Sequence, residues 1–144
     1  MAEHSSSPAV NEIEEGTQLR PRFDAAGLVT CVTTDAATGE VLMVAHMNDE
    51  ALRKTIASGD AWYFSRSRKA LWRKGESSGH TQRVVEMRVD CDQDAIWIRV
   101  NPEGPGACHT GRRSCFYRVV KDGSDALAFV DANKAFDPKD VYRG

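Results

Sequence analysis

Residues 84–100 read V-V-E-M-R-V-D-C-D-Q-D-A-I-W-I-R-V and predict a β-hairpin. Apolar side chains recur at alternate positions, with Val85, Met87 and Val89 on one face, which is the period of a half-buried strand. Residues 95–100 form the return strand, and the D-Q-D between the two strands is the turn. This stretch therefore predicts a mostly β fold.

The same stretch carries three aspartates at alternate positions, Asp90, Asp92 and Asp94, and they surround Cys91. Carboxylate oxygens are hard ligands that suit magnesium or manganese, whereas a thiolate is a soft ligand that suits zinc or an iron–sulfur cluster. A turn can gather the three carboxylates toward one ion, but aspartates also favour turns without any metal. From the residues alone, both interpretations of the triplet stay open.

Two more cysteines, Cys108 and Cys115, follow in G-A-C-H-T-G-R-R-S-C, and the overall spacing is C-x16-C-x6-C. Structural zinc sites usually have paired C-x-x-C motifs and four ligands, and neither is present here. Three ligands leave a fourth position for water, which is typical of a catalytic zinc site. The alternative is that the three cysteines are buried separately. The fourth cysteine, Cys31, has no neighbouring ligand type and favours a buried structural role.

The remaining patterns predict short strands and one helix. Residues 27–34 and 41–47 form a hairpin across D-A-A-T-G-E, and we interpret His46 as a histidine at the end of its second strand. Asn48 caps a helix that ends at Gly59. Further strands are predicted at residues 61–65, 116–120 and 126–130.

A basic loop follows the predicted strand at residues 61–65, and it continues into K-G-E-S-S-G at residues 74–79. Such a loop can be a solvated face, a stacking surface for nucleic acid, or a cradle for a phosphorylated small molecule. The two glycines let the backbone approach a ligand, while Lys74 and the serines supply hydrogen-bond donors. This favours the phosphate interpretation, although the spacing is not that of a Walker loop.

The composition predicts a single globular domain. The chain has 144 residues, 41% of them hydrophobic and 28% charged, and a net charge of −2, which gives no reason to expect nucleic acid as a partner. We expect no membrane span and no secretion leader, and therefore a cytoplasmic protein with reduced thiols. Residues 1–18 predict a disordered tail, residues 19–130 the domain, and residues 131–144 a C-terminal surface tail.

Three segments, W-R-K-G-E-S-S-G-H-T-Q, D-C-D-Q-D and G-A-C-H-T-G-R-R-S-C-F-Y-R, resemble the phosphoribosyl-AMP cyclohydrolases over about residues 20–120. His80 departs from the pattern, because the family more often has asparagine there. The resemblance implies a single-function hydrolase that opens the purine ring of 1-(5-phosphoribosyl)-AMP by attack of zinc-activated water at carbon 6. The product would be the phosphoribosylformimino aminoimidazole carboxamide ribotide, in the third step of histidine biosynthesis.

The resemblance also implies a compact β-sandwich or pseudobarrel of hairpins, with one or two short helices, that forms a homodimer. One zinc ion per subunit would be shared across the dimer interface, bound by Cys91 of one chain and by Cys108 and Cys115 of the other. Magnesium would be bound by the three aspartates, Asp90, Asp92 and Asp94. His109 is the candidate base, because imidazole titrates near neutrality, and the alternative is that it only orients a cysteine.

The substrate implied by the resemblance carries two phosphate groups and needs two anion sites, for which the basic loop and an arginine pair are the candidates. The candidate substrate-binding residues are Ser65, Arg66, Ser67, Arg68, Trp72, Lys74, Gly75, Glu76, Ser78, Gly79, Arg112 and Arg113.

Parts of the sequence are compatible with two other functions. A nucleobase deaminase would carry H-x-E and P-C-x-x-C, and the sequence has neither. A zinc-stabilised nucleic-acid-binding module would use Trp62, Tyr63, Phe64 and Trp72 with the nearby arginines, but the acidic net charge argues against it.

Overall fold

A computed structural model of the chain describes residues 10–104, 108 and 111–130. The described part is mostly β-strand with two short helices, which confirms the predicted fold class at that level. In chain order the elements are α1 (Val10–Glu15), β1 (Val29–Asp35), β2 (Val41–Met47), α2 (Asp49–Ser58), β3 (Trp62–Ser65), β4 (Ala70–Arg73), β5 (Gln82–Val89), β6 (Ala95–Pro102), β7 (Arg118–Val120) and β8 (Leu127–Phe129).

A four-stranded sheet in the order β2-β1-β6-β5 lies at the centre of the fold. Strands β1 and β2 pair antiparallel, as do β5 and β6, so both predicted hairpins are confirmed. The two hairpins join through β1 and β6, which run parallel, with Thr30 opposite Ala95. Trp97 on β6 strengthens this junction, since its indole Nε1 donates to Thr34 Oγ1 at 2.7 Å.

A β-bulge interrupts β5 between Val84 and Glu86. Val84 and Met87 both pack against the core, whereas Val85 is 53% exposed. The prediction that Val85 shares a face with Met87 is therefore wrong, because a bulge adds one residue and shifts the alternation.

Helix α2 follows β2 directly and packs mainly against β3. Asn48 Oδ1 accepts a hydrogen bond from Ala51 N at 2.8 Å, and Gly59 ends the helix in the left-handed conformation at φ 77°. Both predicted ends are confirmed. Ala51, Leu52 and Thr55 are buried, and Thr55 Oγ1 accepts a hydrogen bond from Trp62 N at 2.9 Å, which fixes the helix against β3.

Tyr63 on β3 is fully buried in the core, where its hydroxyl forms hydrogen bonds. Its hydroxyl donates to Gln82 Oε1 at 2.7 Å and lies 2.8 Å from Thr33 Oγ1. Burial of a phenol without partners would be unfavourable, so this network compensates its desolvation. Cys31 is also fully buried, as predicted, and burial raises the pKa of its thiol to about 12.

Strand β4 pairs with β3, although its residues were predicted as part of the basic loop. Trp72 lies opposite Tyr63 with ring centroids 5.1 Å apart, and Leu71 also packs against the core. The sequence did not predict this strand because its apolar pattern covers only two positions and basic residues lie on both sides of it. Lys69 makes the turn at φ 51°.

Part of the predicted N-terminal tail has a defined structure. Helix α1 lies within it, and the backbone of Ile13 and Gln18 accepts hydrogen bonds from the side chain of Gln93. Gln93 thus connects this segment to the turn after β5, while the extent of the disordered tail stays a prediction. Residues 1–9 and the predicted tail at 131–144 lie outside the described residues.

Strands β7 and β8 confirm the two strands predicted near the end of the chain, and they pair antiparallel as a separate hairpin. Neither described helix has the length and apolar character needed to cross a membrane. The sandwich or pseudobarrel closure, the homodimer and the domain limits stay predictions.

Candidate active site

The three aspartates lie together in the turn between β5 and β6. One carboxylate oxygen from each of Asp90, Asp92 and Asp94 falls within 4.8 Å of the other two. Asp90 also has a turn-forming role, because its Oδ1 accepts hydrogen bonds from the backbone N of Asp94 at 3.0 Å and of Ala95 at 3.1 Å. Three hard oxygen donors this close together fit a divalent cation such as magnesium or manganese.

The pKa values of Asp92 and Asp94 depend on each other. Hydrogen bonds with Asp92 and Asp90, followed by desolvation and their negative charges, raise the pKa of Asp94 to about 6. The hydrogen bond from Asp94 in turn lowers the pKa of Asp92. A proton shared within such a group balances part of its negative charge, and a cation in the same place would replace that proton.

We expect the affinity of this cluster for Mn²⁺ to fall as the pH decreases through about 6, because a cation must displace the proton on Asp94. Calorimetric titration with Mn²⁺ at about pH 5 and about pH 8 measures the difference. Asp94→Asn should bind Mn²⁺ weakly with little dependence on pH. An equal affinity of the unmodified protein at both pH values would contradict the expectation.

Two of the candidate zinc ligands, Cys108 and Cys115, lie side by side as free thiols. Cys115 as a whole residue is exposed, but burial of its thiol, the charge of Cys108 and a hydrogen bond with it raise the pKa of Cys115 to about 12. The ammonium of Lys74 acts in the opposite direction on this pKa. Two adjacent thiols beside a cation fit a soft metal ion that needs them deprotonated.

Cys91, the third candidate ligand, is exposed in the turn after β5 and does not join the other two. Within the described residues, the aspartate cluster is the one group of three or more histidine, cysteine or acidic side chains close enough to share an ion. A single copy of the chain therefore does not gather the three cysteines.

Short backbone contacts hold the segment around these cysteines. Gly111 N donates to Cys108 O at 2.9 Å, and Cys108 N donates to Arg112 O at 3.1 Å. Cys115 N donates to Leu42 O at 2.7 Å, which anchors Cys115 to β2. His109, the candidate base, lies outside the described residues.

A cavity of about 470 Å³ opens next to Cys115, between β2, β4 and the loop after β4. It contains six of the candidate substrate-binding residues, and its wall combines apolar strand residues with three cationic side chains and one carboxylate. The lining residues are Met43, Val44, Ala45, Arg68, Trp72, Arg73, Lys74, Gly75, Glu76, Ser77, Ser78 and Cys115. The excess of positive charge suits an anionic ligand.

Lys74 occupies the inner wall of this cavity and is only 7% exposed. Burial lowers its pKa, while the neighbouring Cys115 and Cys108 raise it. Its Nζ lies 5.8 Å from the ring centroid of Trp72, and its backbone N donates to Ala61 O at 3.0 Å. The lysine is thus held at the boundary between the thiol pair and the cavity.

The other candidate substrate contacts lie outside the cavity wall, and the structure gives several of them local partners. Ser65 Oγ accepts a hydrogen bond from Arg68 N at 3.2 Å and lies 3.3 Å from Ser67 Oγ, so it stabilises the β3–β4 turn. The described residues Ser65, Arg66, Ser67, Gly79, Arg112 and Arg113 are not part of the lining.

The side chains of Arg112 and Arg113 make different contacts. Arg113 forms an ion pair with Glu40 at 2.9 Å and lies 3.9 Å from a carboxylate oxygen of Asp35. Arg112 stacks its guanidinium over Tyr117, 4.3 Å from the ring centroid. Their role in binding phosphate stays a prediction.

The backbone geometry requires a glycine at position 75, which the sequence alone did not reveal. Gly75 adopts φ 88°, and an added Cβ would collide with the backbone of His80 and Thr81 where the loop folds back. Gly79 also has a positive φ, but its Cβ would meet nothing within 4 Å. Gly75 is therefore needed where the loop of the cavity wall folds back on itself. Of these two glycines, Gly79 is the one with open space beside its backbone.

The sequence profile described as phosphoribosyl-AMP cyclohydrolase matches residues 43–117, from the cavity-lining β2 through the second of the paired thiols. The chain belongs to this family. A phosphoribosyl-AMP cyclohydrolase of Bradyrhizobium diazoefficiens is 74% identical over 135 residues, which cover 92% of this chain and 96% of the relative. Proteins of the same name from Rhodopseudomonas palustris and Nitrobacter winogradskyi are each 68% identical, over 96% of this chain and 95% and 97% of their own lengths.

The family match confirms the resemblance seen in the sequence, but sequence reasoning missed part of the cavity. The missed residues are Met43, Val44 and Ala45, which line it from β2, whereas Arg73 and Ser77 belong to the predicted basic loop. Val44 is 44% exposed at the sheet edge, and an apolar strand residue of this kind is usually interpreted as core. No periodic signal distinguishes a cavity wall from a core contact, so the structure was needed.

Proposed function

We propose that this chain is a phosphoribosyl-AMP cyclohydrolase that opens the purine ring of 1-(5-phosphoribosyl)-AMP. The observation that carries the proposal is the cationic cavity beside two adjacent thiols, in a member of this family. Relatives named for this activity are similar to this chain over almost their whole length. The product is the phosphoribosylformimino aminoimidazole carboxamide ribotide, in the third step of histidine biosynthesis.

The residues that would hold zinc are Cys108 and Cys115 of one copy together with Cys91 of a second copy. Their soft sulfur donors fit this metal, and the separation of Cys91 from the thiol pair within one chain supports sharing between copies. Zinc, when bound, supplies Lewis acidity that makes a water molecule more acidic. We therefore propose a homodimer with one shared zinc site per subunit.

The cavity residues bind and orient the substrate. Lys74 and Arg68 offer donors to a phosphate group, while Trp72 offers an aromatic surface along the same wall. The apolar side of the cavity, from Met43 to Ala45, suits the purine and limits the water near its ring.

His109 is our candidate for moving the proton in the reaction. Water attacks carbon 6 of the purine, and imidazole can accept its proton near neutral pH. The bond between carbon 6 and nitrogen 1 then breaks, and the exocyclic nitrogen remains as part of a carboxamide. The returned proton goes to nitrogen 1, which keeps the phosphoribosyl group.

Magnesium is the cation that we propose for Asp90, Asp92 and Asp94, because three clustered carboxylates fit a hard ion. We further propose a cytoplasmic enzyme with one catalytic domain at residues 19–130. These assignments follow from the family and from the expected reduced state of the thiols.

The test is turnover of 1-(5-phosphoribosyl)-AMP by the purified full-length protein with zinc and magnesium. We expect a change in purine absorbance with no release of ammonia, because ring opening retains every nitrogen. AMP serves as the control substrate, since a nucleobase deaminase would release ammonia from it. Ammonia release, or RNA binding without turnover, would contradict the proposal.

A further inference from the structure

Gln93 sits in the middle of the aspartate turn, yet its side chain is buried and forms hydrogen bonds with the N-terminal segment. It is 3% exposed, and it holds a left-handed backbone at φ 58°. Gln93 N donates to Asp90 O at 3.1 Å, which closes the turn. A buried amide in a strained conformation persists only where its surroundings stabilise it.

The stabilising partners come from the N-terminal segment, about 75 residues earlier in the chain. Gln93 Oε1 accepts a hydrogen bond from Arg20 N at 2.7 Å, and Gln93 O accepts one from Arg22 N at 2.8 Å. Gln93 Nε2 donates to Ile13 O at 3.1 Å and to Gln18 O at 3.3 Å. One side chain thus satisfies the backbone of this segment at three places.

The segment and the turn enclose a second cavity of about 460 Å³. Its wall includes Ile13 and Gln18 from the segment and Asp90, Cys91 and Gln93 from the turn. Asp90, a candidate magnesium ligand, and Cys91, a candidate zinc ligand, therefore both line the cavity that the N-terminal segment also lines. The segment is placed to influence the shape of the turn that carries them.

We propose that Gln93 is a positioning residue that couples the N-terminal segment, residues 13–22, to divalent-cation binding by Asp90, Asp92 and Asp94. This inference rests on the proposed magnesium site. The segment holds Gln93, and Gln93 holds the turn in the conformation that brings the three carboxylates together. Because linkage is reciprocal, cation binding also stabilises the segment.

The experiment measures Mn²⁺ affinity of the full-length protein by calorimetry and electron paramagnetic resonance. Gln93→Gly suits the left-handed backbone but removes the side chain, and we expect it to weaken Mn²⁺ binding about tenfold. Arg20→Pro removes the amide that donates to Gln93 Oε1 and should also weaken binding. Arg20→Ala keeps that amide and is the matched control, with unchanged affinity.

The double variant distinguishes coupling from two independent effects. If the segment acts through Gln93, Arg20→Pro adds little further loss to Gln93→Gly, whereas independent effects would add. Hydrogen exchange gives a second readout, since Mn²⁺ should slow exchange at the Arg20 and Arg22 amides in the unmodified protein but not in Gln93→Gly.

The outcomes separate this inference from the proposal beneath it. Mn²⁺ binding that is equal in the unmodified protein and in Gln93→Gly, or losses that add in the double variant, would overturn the coupling and leave the magnesium site intact. Failure of the unmodified protein to bind Mn²⁺ at all would overturn both.

Discussion

An equal mixture of Cys91→Ser and Cys108→Ser chains, unfolded and refolded together with zinc, should recover about one quarter of the unmodified activity and zinc content. Each variant alone should have almost none, because each lacks one ligand in every site. In the mixture, about half of the dimers contain one chain of each kind. In such a dimer one site contains both serine substitutions. The other site combines the intact Cys91 of the Cys108→Ser chain with the intact Cys108 and Cys115 of the Cys91→Ser chain.

The matched control mixes Cys108→Ser with Cys115→Ser. These two cysteines come from the same chain in the proposed site, so every mixed dimer has two damaged sites and no recovery is expected. Recovery in both mixtures, or full zinc content in Cys91→Ser alone, would rule out the shared site. The test uses the finding that Cys108 and Cys115 are adjacent while Cys91 lies elsewhere in the same chain.

Replacing Lys74 by methionine should lower kcat/KM about 10- to 100-fold, mainly through a higher KM. A hydrogen bond from a charged group contributes about 1.5–3 kcal/mol, and each 1.4 kcal/mol corresponds to about a tenfold change. Methionine keeps much of the apolar stem but removes the cation from the cavity wall.

Lys69→Met is the matched control, since Lys69 is an exposed lysine in the adjacent β3–β4 turn and is not part of the cavity wall. Steady-state kinetics, zinc content and thermal unfolding of both variants complete the comparison. Similar kinetic losses in the two variants would show that general positive charge, and not the position of Lys74, attracts the substrate.

Local sequence signals predicted the elements whose ends are set by neighbouring residues. Asn48 and Gly59 defined α2 correctly, because a cap and a left-handed stop depend on one residue each. The two hairpins of the central sheet were equally predictable, since their strands are adjacent in the chain. In the site, the family motifs placed the ligand types, and the structure then placed the aspartates together.

The features that sequence missed depend on distant partners. The parallel pairing of β1 with β6, the bulge at Val85 and the burial of Gln93 each require contacts that no local pattern contains. Alternation predicted Val85 on the wrong face because a bulge leaves no mark in the residue types. Gln93 looked like an ordinary turn residue, since its role lies in the N-terminal segment that it binds.

The parallel junction between β1 and β6 has a consequence for synthesis of the protein. Thr34 and Trp97, which join these strands, are 63 residues apart, so the first hairpin leaves the ribosome long before its neighbour exists. At about 5–20 residues per second, the inner edge of β1 remains unpaired for ~3–13 s. During that interval the nascent chain carries an open strand edge that can pair with other chains, and molecular chaperones would protect it most effectively at this stage.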